Sequence, residues 1–83
     1  MTKSVFTRKY QIFREMLIQA RKAAGLNQRD LSEKMSRPQS FISKYEQGER
    51  RLDVVEFLEV AENLGIDSVD FIRELNKACS NRD

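Results

Sequence analysis

The sequence predicts a compact all-α domain of five helices, and three observations point to it. Apolar residues recur at steps of three and four along most of the chain, which is the period of an amphipathic helix. Glycines at positions 25, 48 and 65 each follow such a stretch, and a left-handed glycine commonly ends a helix. No credible strand pattern occurs, so we expect no β-sheet.

Capping residues delimit the first two predicted helices. Helix one is predicted from an apolar series on one helical face: Tyr10, Phe13, Leu17, Ala20 and Ala24. It ends at Gly25. Asn27 then caps helix two, and Asp30 stands three residues later in the arrangement of a capping box. Helix two is short and ends near Ser36.

The third and fourth helices are delimited in the same way. Pro38 fits only the first turn of a helix, so helix three starts there or close by and ends at Gly48. Asp53 and Glu56 form a second capping box at the start of helix four, and Gly65 ends that helix. We expect the buried stripe of helix four to be Val55, Leu58, Ala61 and Leu64.

Helix five begins with Asp67 or Ser68 as its cap. Its apolar positions are Phe71, Ile72, Leu75, and either Ala78 or Cys79. Because these exceed what one small core needs, we expect a homodimer that forms through this C-terminal region.

The composition excludes several classes of function. The chain has no histidine and one cysteine, Cys79, which excludes a zinc site of the usual ligands and a Cys–His or Ser–His catalytic pair. We therefore expect no enzymatic activity, no metal and no cofactor. No apolar run is long enough for a membrane helix, and residues 1–9 lack the apolar core of a signal peptide. We expect a cytoplasmic protein, located at the nucleoid.

Charge is distributed unevenly along the chain. Residues 1–30 carry seven cations against two carboxylates, whereas residues 53–83 carry three cations against eight carboxylates. Such asymmetry suggests a polyanion bound on one side of the molecule. We expect the acidic third to lie away from that polyanion. Chance unevenness in a short chain is the alternative.

Helix three carries an unusual polar face. At about 100° per residue, five polar side chains fill one contiguous arc: Gln39, Ser40, Ser43, Lys44 and Gln47. Glutamine can bond adenine, lysine can reach guanine, and serine can donate or accept at a base edge. This face predicts that the helix at about residues 38–47 lies in the major groove of DNA. The alternatives are contact with solvent alone and, for Ser43, a bond back to its own helix.

Helices two and three, joined by a tight turn, form a predicted helix-turn-helix. Free N–H groups at Asn27, where helix two starts, can receive a phosphate, and Gln28 can add its side-chain amide. Arg50 and Arg51 follow helix three and can hold the DNA backbone on the other side, and we include Arg37 among the expected phosphate contacts.

Two consecutive stretches carry a family resemblance. The first is LNQRDLSEKMSRPQSFISKYEQG and the second is RRLDVVEFLEVAENLGI. Together they resemble the lambda-repressor-like, Cro-type helix-turn-helix domains of the XRE family, over about residues 10–66. The resemblance implies a phosphate contact for Gln28 and an internal ion pair between Arg21 and Glu46. It also implies that the base-facing residues are Gln39, Ser40, Ser43 and Lys44.

Two residues depart from the family pattern. Ser32 stands where the family usually has alanine, and Ser36 stands where it usually has glycine. We expect Ser36 to adopt a left-handed backbone, at a cost of about 1 kcal/mol relative to glycine.

The sequence predicts four parts within the single domain 1–83. Residues 1–9 are an N-terminal extension, 10–66 the family core, 67–79 the fifth helix with the dimer contacts, and 80–83 a frayed tail. We expect a sequence-specific transcriptional regulator that binds a palindromic double-stranded operator as a homodimer.

The sequence leaves the biological system open among a restriction–modification controller, a small phage-like repressor and an antitoxin. It also leaves open whether RNA polymerase or a toxin is a further partner. The rival function is a protein-interaction module that uses the same fold to hold a partner.

Overall fold

The computed structural model describes residues 7–82, and these form five α-helices without a strand. The helices are α1 (Arg8–Ala23), α2 (Gln28–Met35), α3 (Gln39–Gln47), α4 (Val54–Leu64) and α5 (Ser68–Arg82). The predicted all-α, five-helix architecture is therefore confirmed. Most of the extension placed at residues 1–9 lies outside the described residues, although Arg8 and Lys9 already belong to α1.

Local hydrogen bonds at the N-termini explain why these helices begin where they do. The Asn27 side chain accepts a bond of 2.7 Å from the Asp30 amide, and the Asp30 carboxylate accepts one of 3.0 Å from the Asn27 amide. Asp53 and Glu56 repeat this box at the start of α4, with distances of 2.7 and 3.0 Å. Asp67 caps α5 by accepting from two amides of its first turn. Each cap contributes about 1 kcal/mol.

The turn between α2 and α3 depends on one residue with a left-handed backbone. Ser36 has φ 55° and ψ 42°, and it is the one residue other than glycine with positive φ among those described. The Arg37 amide donates to the Ser32 carbonyl at 3.0 Å, which closes the turn. Pro38 is the N-cap of α3 rather than part of its first turn. This tight connection sets α3 against α2.

All five helices contribute to one apolar core. Phe13, Phe57 and Phe71 pack their rings together with centroid distances of 5.2 to 5.8 Å, joining α1, α4 and α5. The largest of the fully buried side chains are Leu17, Leu31, Ile42, Tyr45 and Val60. Because α3 supplies two of these, its apolar side is fixed against the rest of the molecule.

The buried face of α4 differs from the prediction. Val55 and Leu58 are 72% and 47% exposed, and Phe57 and Val60 are buried in their place. Ala61 and Leu64 are buried as predicted. Apolar residues stand on both sides of α4, so helical period alone does not select the buried side.

The faces of α1 and α5 also depart in part from the prediction. Ala24 is exposed because it lies after the last residue of α1, and Ile12 is buried although the predicted series omits it. On α5, Phe71 and Cys79 are buried, whereas Ile72 is 47% exposed. Since α5 packs on one flank against α1 and α4, its other flank stays open to solvent.

Candidate nucleic-acid interface

The polar arc of α3 faces solvent. Gln39, Ser40, Lys44 and Gln47 are exposed, and Ser43 is half-buried. The opposite side of α3 packs into the core through Phe41, Ile42 and Tyr45. Gln47 Nε2 donates to Ser43 Oγ at 3.0 Å, so the Ser43 hydroxyl bonds a neighbour on the same face. The four side chains assigned to base contact therefore lie together on the outer face of one helix.

A buried carboxylate ties α3 to α1 and α2. Glu46 is 5% exposed, and Arg21 donates to it in a two-point contact, from Nε to Oε2 at 2.8 Å and from Nη2 to Oε1 at 3.1 Å. Hydrogen bonding to Glu46 raises the pKa of Arg21 above its ordinary value, and burial opposes this. Arg21 also donates to the Leu26 carbonyl at 2.9 Å. The pair inferred from the family resemblance is thus present and joins the first and third helices.

Gln28 belongs to the same network. Its Nε2 donates to Glu46 Oε1 at 2.9 Å, so part of its amide is directed inward. An amide nitrogen carries two hydrogens, and one of them remains available to an external acceptor such as phosphate. The structure therefore holds the first side chain of α2 in a fixed orientation at the helix N-terminus.

Arg14 was not singled out from the sequence, yet it contacts the end of α3. Its Nη1 donates to the Glu46 carbonyl at 2.6 Å, where a cation complements the partial negative charge of a helix C-terminus. A Cβ at Gly48 would lie 3.2 Å from the Arg14 guanidinium, and Gly48 has φ 83°. Arg14 stands seven residues before Arg21, on the same face of α1, and that spacing is the signal that could have revealed it.

Two arginines predicted to contact phosphate flank the Phe41 ring. The guanidinium carbons of Arg37 and Arg50 lie 4.5 and 4.9 Å from its centroid. Arg37 also pairs with Glu59 at 2.7 Å, and Arg50 pairs with both oxygens of Glu56 at 3.1 and 2.9 Å. Sequence reasoning missed these carboxylates of α4, which hold both cations in place.

Hydrogen bonding to Arg50 is the main cause of a lowered pKa at Glu56. The carboxylate therefore stays ionised at neutral pH. A DNA phosphate that bound Arg50 would have to share its guanidinium group with the Glu56 carboxylate. The local positive charge is smaller than the arginine count alone suggests.

Arg51 lies over an aromatic ring of α1. Its guanidinium carbon is 4.6 Å from the Tyr10 ring centroid, and the Tyr10 hydroxyl accepts from the Leu52 amide at 2.9 Å. These contacts attach the loop after α3 to the start of α1. The structure thus places Arg50 and Arg51 beyond the C-terminal end of α3, with Asn27 and Gln28 at the start of α2.

Clusters of metal-ligating side chains and membrane-spanning helices are both absent from the described part of the chain. Residues 7–82 contain no group of three or more His, Cys, Asp or Glu side chains arranged to hold a metal ion. None of their helices combines the length and the apolar character needed to span a bilayer.

Comparison with known proteins gives a family match and several similar solved structures. A family profile described as helix-turn-helix matches residues 17–71. A solved structure described as an XRE-family like protein from Pseudomonas syringae pv. tomato str. DC3000 is 41% identical, with a TM-score of 0.81, and the alignment covers 84% of this chain and 85% of that one. No curated protein sequence matches the chain.

The second structure is a mutant of the restriction–modification controller protein C.Esp1396I. It is 23% identical with a TM-score of 0.80, and the alignment covers 100% of both chains. At that identity the likeness concerns the fold alone.

Proposed function

The chain belongs to the XRE-type helix-turn-helix family of DNA-binding transcription regulators, and on that premise we propose that it binds a palindromic operator as a homodimer. The observation that carries the proposal is the outward polar arc of α3. The buried Glu46 holds this helix against α1 and α2 through its bonds with Arg21 and Gln28. In this proposal α3 lies in the major groove, where a helix can reach base edges that differ among all four base pairs.

Base contacts are assigned to four side chains of α3. Gln39 and Ser40 stand at its N-terminal end, which is the end that reaches the bases in helix-turn-helix complexes. Ser43 and Lys44 follow one turn later on the same face. Their short or flexible side chains suit close approach to the groove floor.

Phosphate contacts are assigned to five residues around that face: Asn27, Gln28, Arg37, Arg50 and Arg51. The Asn27 amide, which the sequence predicted to be free for a phosphate, donates instead to Asp30 within the capping box, so Asn27 keeps only its side-chain NH₂ for that contact. A phosphate at this end would also meet the remaining amides of the first turn and the Gln28 side chain. Arg37 and Arg50 would bind phosphate while the Phe41 ring and the carboxylates of α4 hold their guanidinium groups in place.

The homodimer is supported by apolar side chains that the described monomer leaves uncovered. They stand on α4 and α5, with exposures of 47% to 74%: Val54, Val55, Leu58, Val69 and Ile72. Val69 and Ile72 line one open groove on α5, and an exposed apolar patch of this kind is typical of an interface. A two-fold dimer through α5 would place the recognition helices about 34 Å apart, one turn of the duplex.

Paired substitutions test the assignment of base and phosphate contacts. Gln39→Ala should weaken operator binding by about 1–3 kcal/mol and relax the preference at one base pair, because it removes a base-reading amide. Arg50→Ala should weaken operator and random-sequence duplex to a similar extent. Fluorescence anisotropy with both duplexes measures these losses.

Gln19→Ala is the matched control, since it removes the same kind of side-chain amide from an exposed position on the side of α1 that faces away from α3. Equal losses for Gln39→Ala on the two duplexes would show that Gln39 reads no base. A loss confined to the operator for Arg50→Ala would contradict its assignment to phosphate.

A further inference from the structure

An open groove of about 720 Å³ runs between α1 and α5, and none of the proposed DNA contacts lines it. Its floor is apolar and includes Ile12, Met16, Ala20, Ile66, Phe71 and Ala78. We propose that this groove binds a positively charged amphipathic helix of a partner protein.

The groove lies on the side of α1 opposite the recognition helix. At about 100° per residue, Ile12, Met16 and Ala23 fall within about 40° of one another around α1. Arg14 and Arg21, which contact Glu46 of α3, lie about 140–180° away from them around the same helix. A partner seated in the groove therefore leaves the polar arc of α3 uncovered, and the protein can hold partner and DNA together.

The charged side chains that line the groove are of one sign. Its described lining includes four carboxylates and neither lysine nor arginine: Glu15, Asp67, Asp70 and Glu74. Asp70 and Glu74 also approach Arg73 and Lys77, at 3.1 and 3.7 Å, in exposed pairs. Such pairs are worth little, so they yield readily to a better-placed cation. A partner with lysine or arginine beside its apolar stripe is complementary to this rim.

The same charges disfavour a homodimer in which the groove of one copy packs against the groove of the other. A two-fold interface brings identical patches together, so each acidic rim would face the other. Like charges placed opposite one another across an interface cost affinity. The complementary occupant is therefore cationic.

The shape of the groove suits a helix of about three turns. Its α1 wall runs from residue 12 to residue 23, which corresponds to about 16 Å at 1.5 Å per residue. Two helices form the walls, and a third helix can lie between them with anchors at i, i+4 and i+7. The apolar stripe of the partner would cover the floor, and its flanking cations would meet the four carboxylates.

Fluorescence anisotropy with two labelled synthetic helical peptides of about 14 residues tests the proposal on the full chain without DNA. Both peptides carry leucine at the anchor positions. One has lysine on its flanks and the other has glutamate. We expect the lysine peptide to bind at least about tenfold more tightly. Equal binding of the two peptides, or no binding of either, would overturn the proposal.

A matched pair of variants locates the site. Ala23→Arg places a bulky cation in the groove, and Ala24→Arg makes the same change at the next exposed residue, which does not line it. The first should reduce binding of the lysine peptide about tenfold and the second should not. Circular dichroism establishes that both fold.

Equal losses in the two variants would place the peptide elsewhere and overturn the proposal. Sedimentation of the same variants decides between partner and self-association. If Ala23→Arg alone converts dimer to monomer, the groove holds a second copy and the proposal is wrong. None of these peptide and sedimentation measurements uses DNA. A failure of the groove proposal is therefore distinct from a failure of the proposed operator contacts.

Discussion

Among single residues, Glu46 joins the three helices that form the candidate DNA-binding surface. Its carboxylate accepts from Arg21 of α1 and Gln28 of α2, and its carbonyl accepts from Arg14. A buried ion pair gains little over an apolar pair of similar volume, but removing one partner leaves an uncompensated charge. We interpret this network as a device that fixes the angle of α3 against α1 and α2.

That interpretation predicts strong coupling between Arg21 and Glu46. Arg21→Met alone should lower the free energy of unfolding by about 3–5 kcal/mol, because the buried carboxylate loses its counter-charge. Combining it with Glu46→Leu should restore most of that loss. Urea denaturation of the wild type, both single variants and the double variant measures the coupling. Losses that simply add in the double variant would contradict it.

Residue roles could be predicted only in part from the sequence. The polar arc of α3 follows from helical spacing alone, which predicts Gln39 and Lys44 on the exposed side, and both are exposed in the structure. The surroundings of Arg37 and Arg50 were not predictable, because their carboxylate partners belong to α4 and meet them only after the chain folds. A charge in a loop does not reveal its partners.

At the scale of secondary-structure elements, the turn between α2 and α3 is the most strained connection described. It places Ser36 at φ 55°, a conformation that glycine adopts more readily. The strain is tolerated because bonds from the Ser36 and Arg37 amides close the turn at 3.2 and 3.0 Å. This turn determines how α3 is presented, so its geometry bears directly on DNA binding.

Ser36→Gly should raise the free energy of unfolding by about 0.5–1 kcal/mol, since relief of strain exceeds the added entropy of the unfolded chain. Thermal and urea denaturation measure the change. Lys44→Gly, at an exposed position in the interior of α3, is the control and should cost about 0.5–1 kcal/mol. Destabilisation by Ser36→Gly would show that the left-handed conformation carries no such strain.

Helix boundaries were predictable because the signals that set them are local. The capping boxes at Asn27 and Asp53 each close within four residues, and the structure contains both. The buried side of α4 was not predictable from period. Val55 and Leu58 fit an apolar stripe as well as Phe57 and Val60 do, and only packing against α1, α2 and α5 distinguishes the two sides.

For the whole molecule, the separation of charge is less complete than the sequence suggests. Residues 53–83 are acidic, and they were expected to lie away from the DNA. Glu56 and Glu59 of α4 instead pair with Arg50 and Arg37 beside α3. The carboxylates of α5 and of the α1–α5 groove make up the acidic surface opposite α3. The acidic third therefore both positions cations beside α3, at the candidate DNA-binding surface, and forms a separate surface.

If the protein forms the proposed dimer, its apparent molecular mass should rise with protein concentration. A substitution at an exposed α5 residue should abolish that rise. Ile72→Glu should convert the dimer to a monomer and weaken operator binding more than binding to random duplex, because a charge enters the apolar interface. Analytical ultracentrifugation with and without operator measures this. Ala24→Glu, at an exposed position outside α5, is the control. A wild-type chain that stays monomeric at high micromolar concentration under both conditions would contradict the dimer.

Selection from a random pool of duplexes tests the central claim, that α3 of a two-fold dimer reads base edges in the major groove. We expect enrichment of a palindrome whose half-sites are centred about 10 base pairs apart, since that spacing matches two recognition helices about 34 Å apart. In the same selection, Gln39→Ala should relax one position in each half-site. A pool that shows no preferred sequence after repeated rounds, while the protein still binds duplex, would contradict the claim.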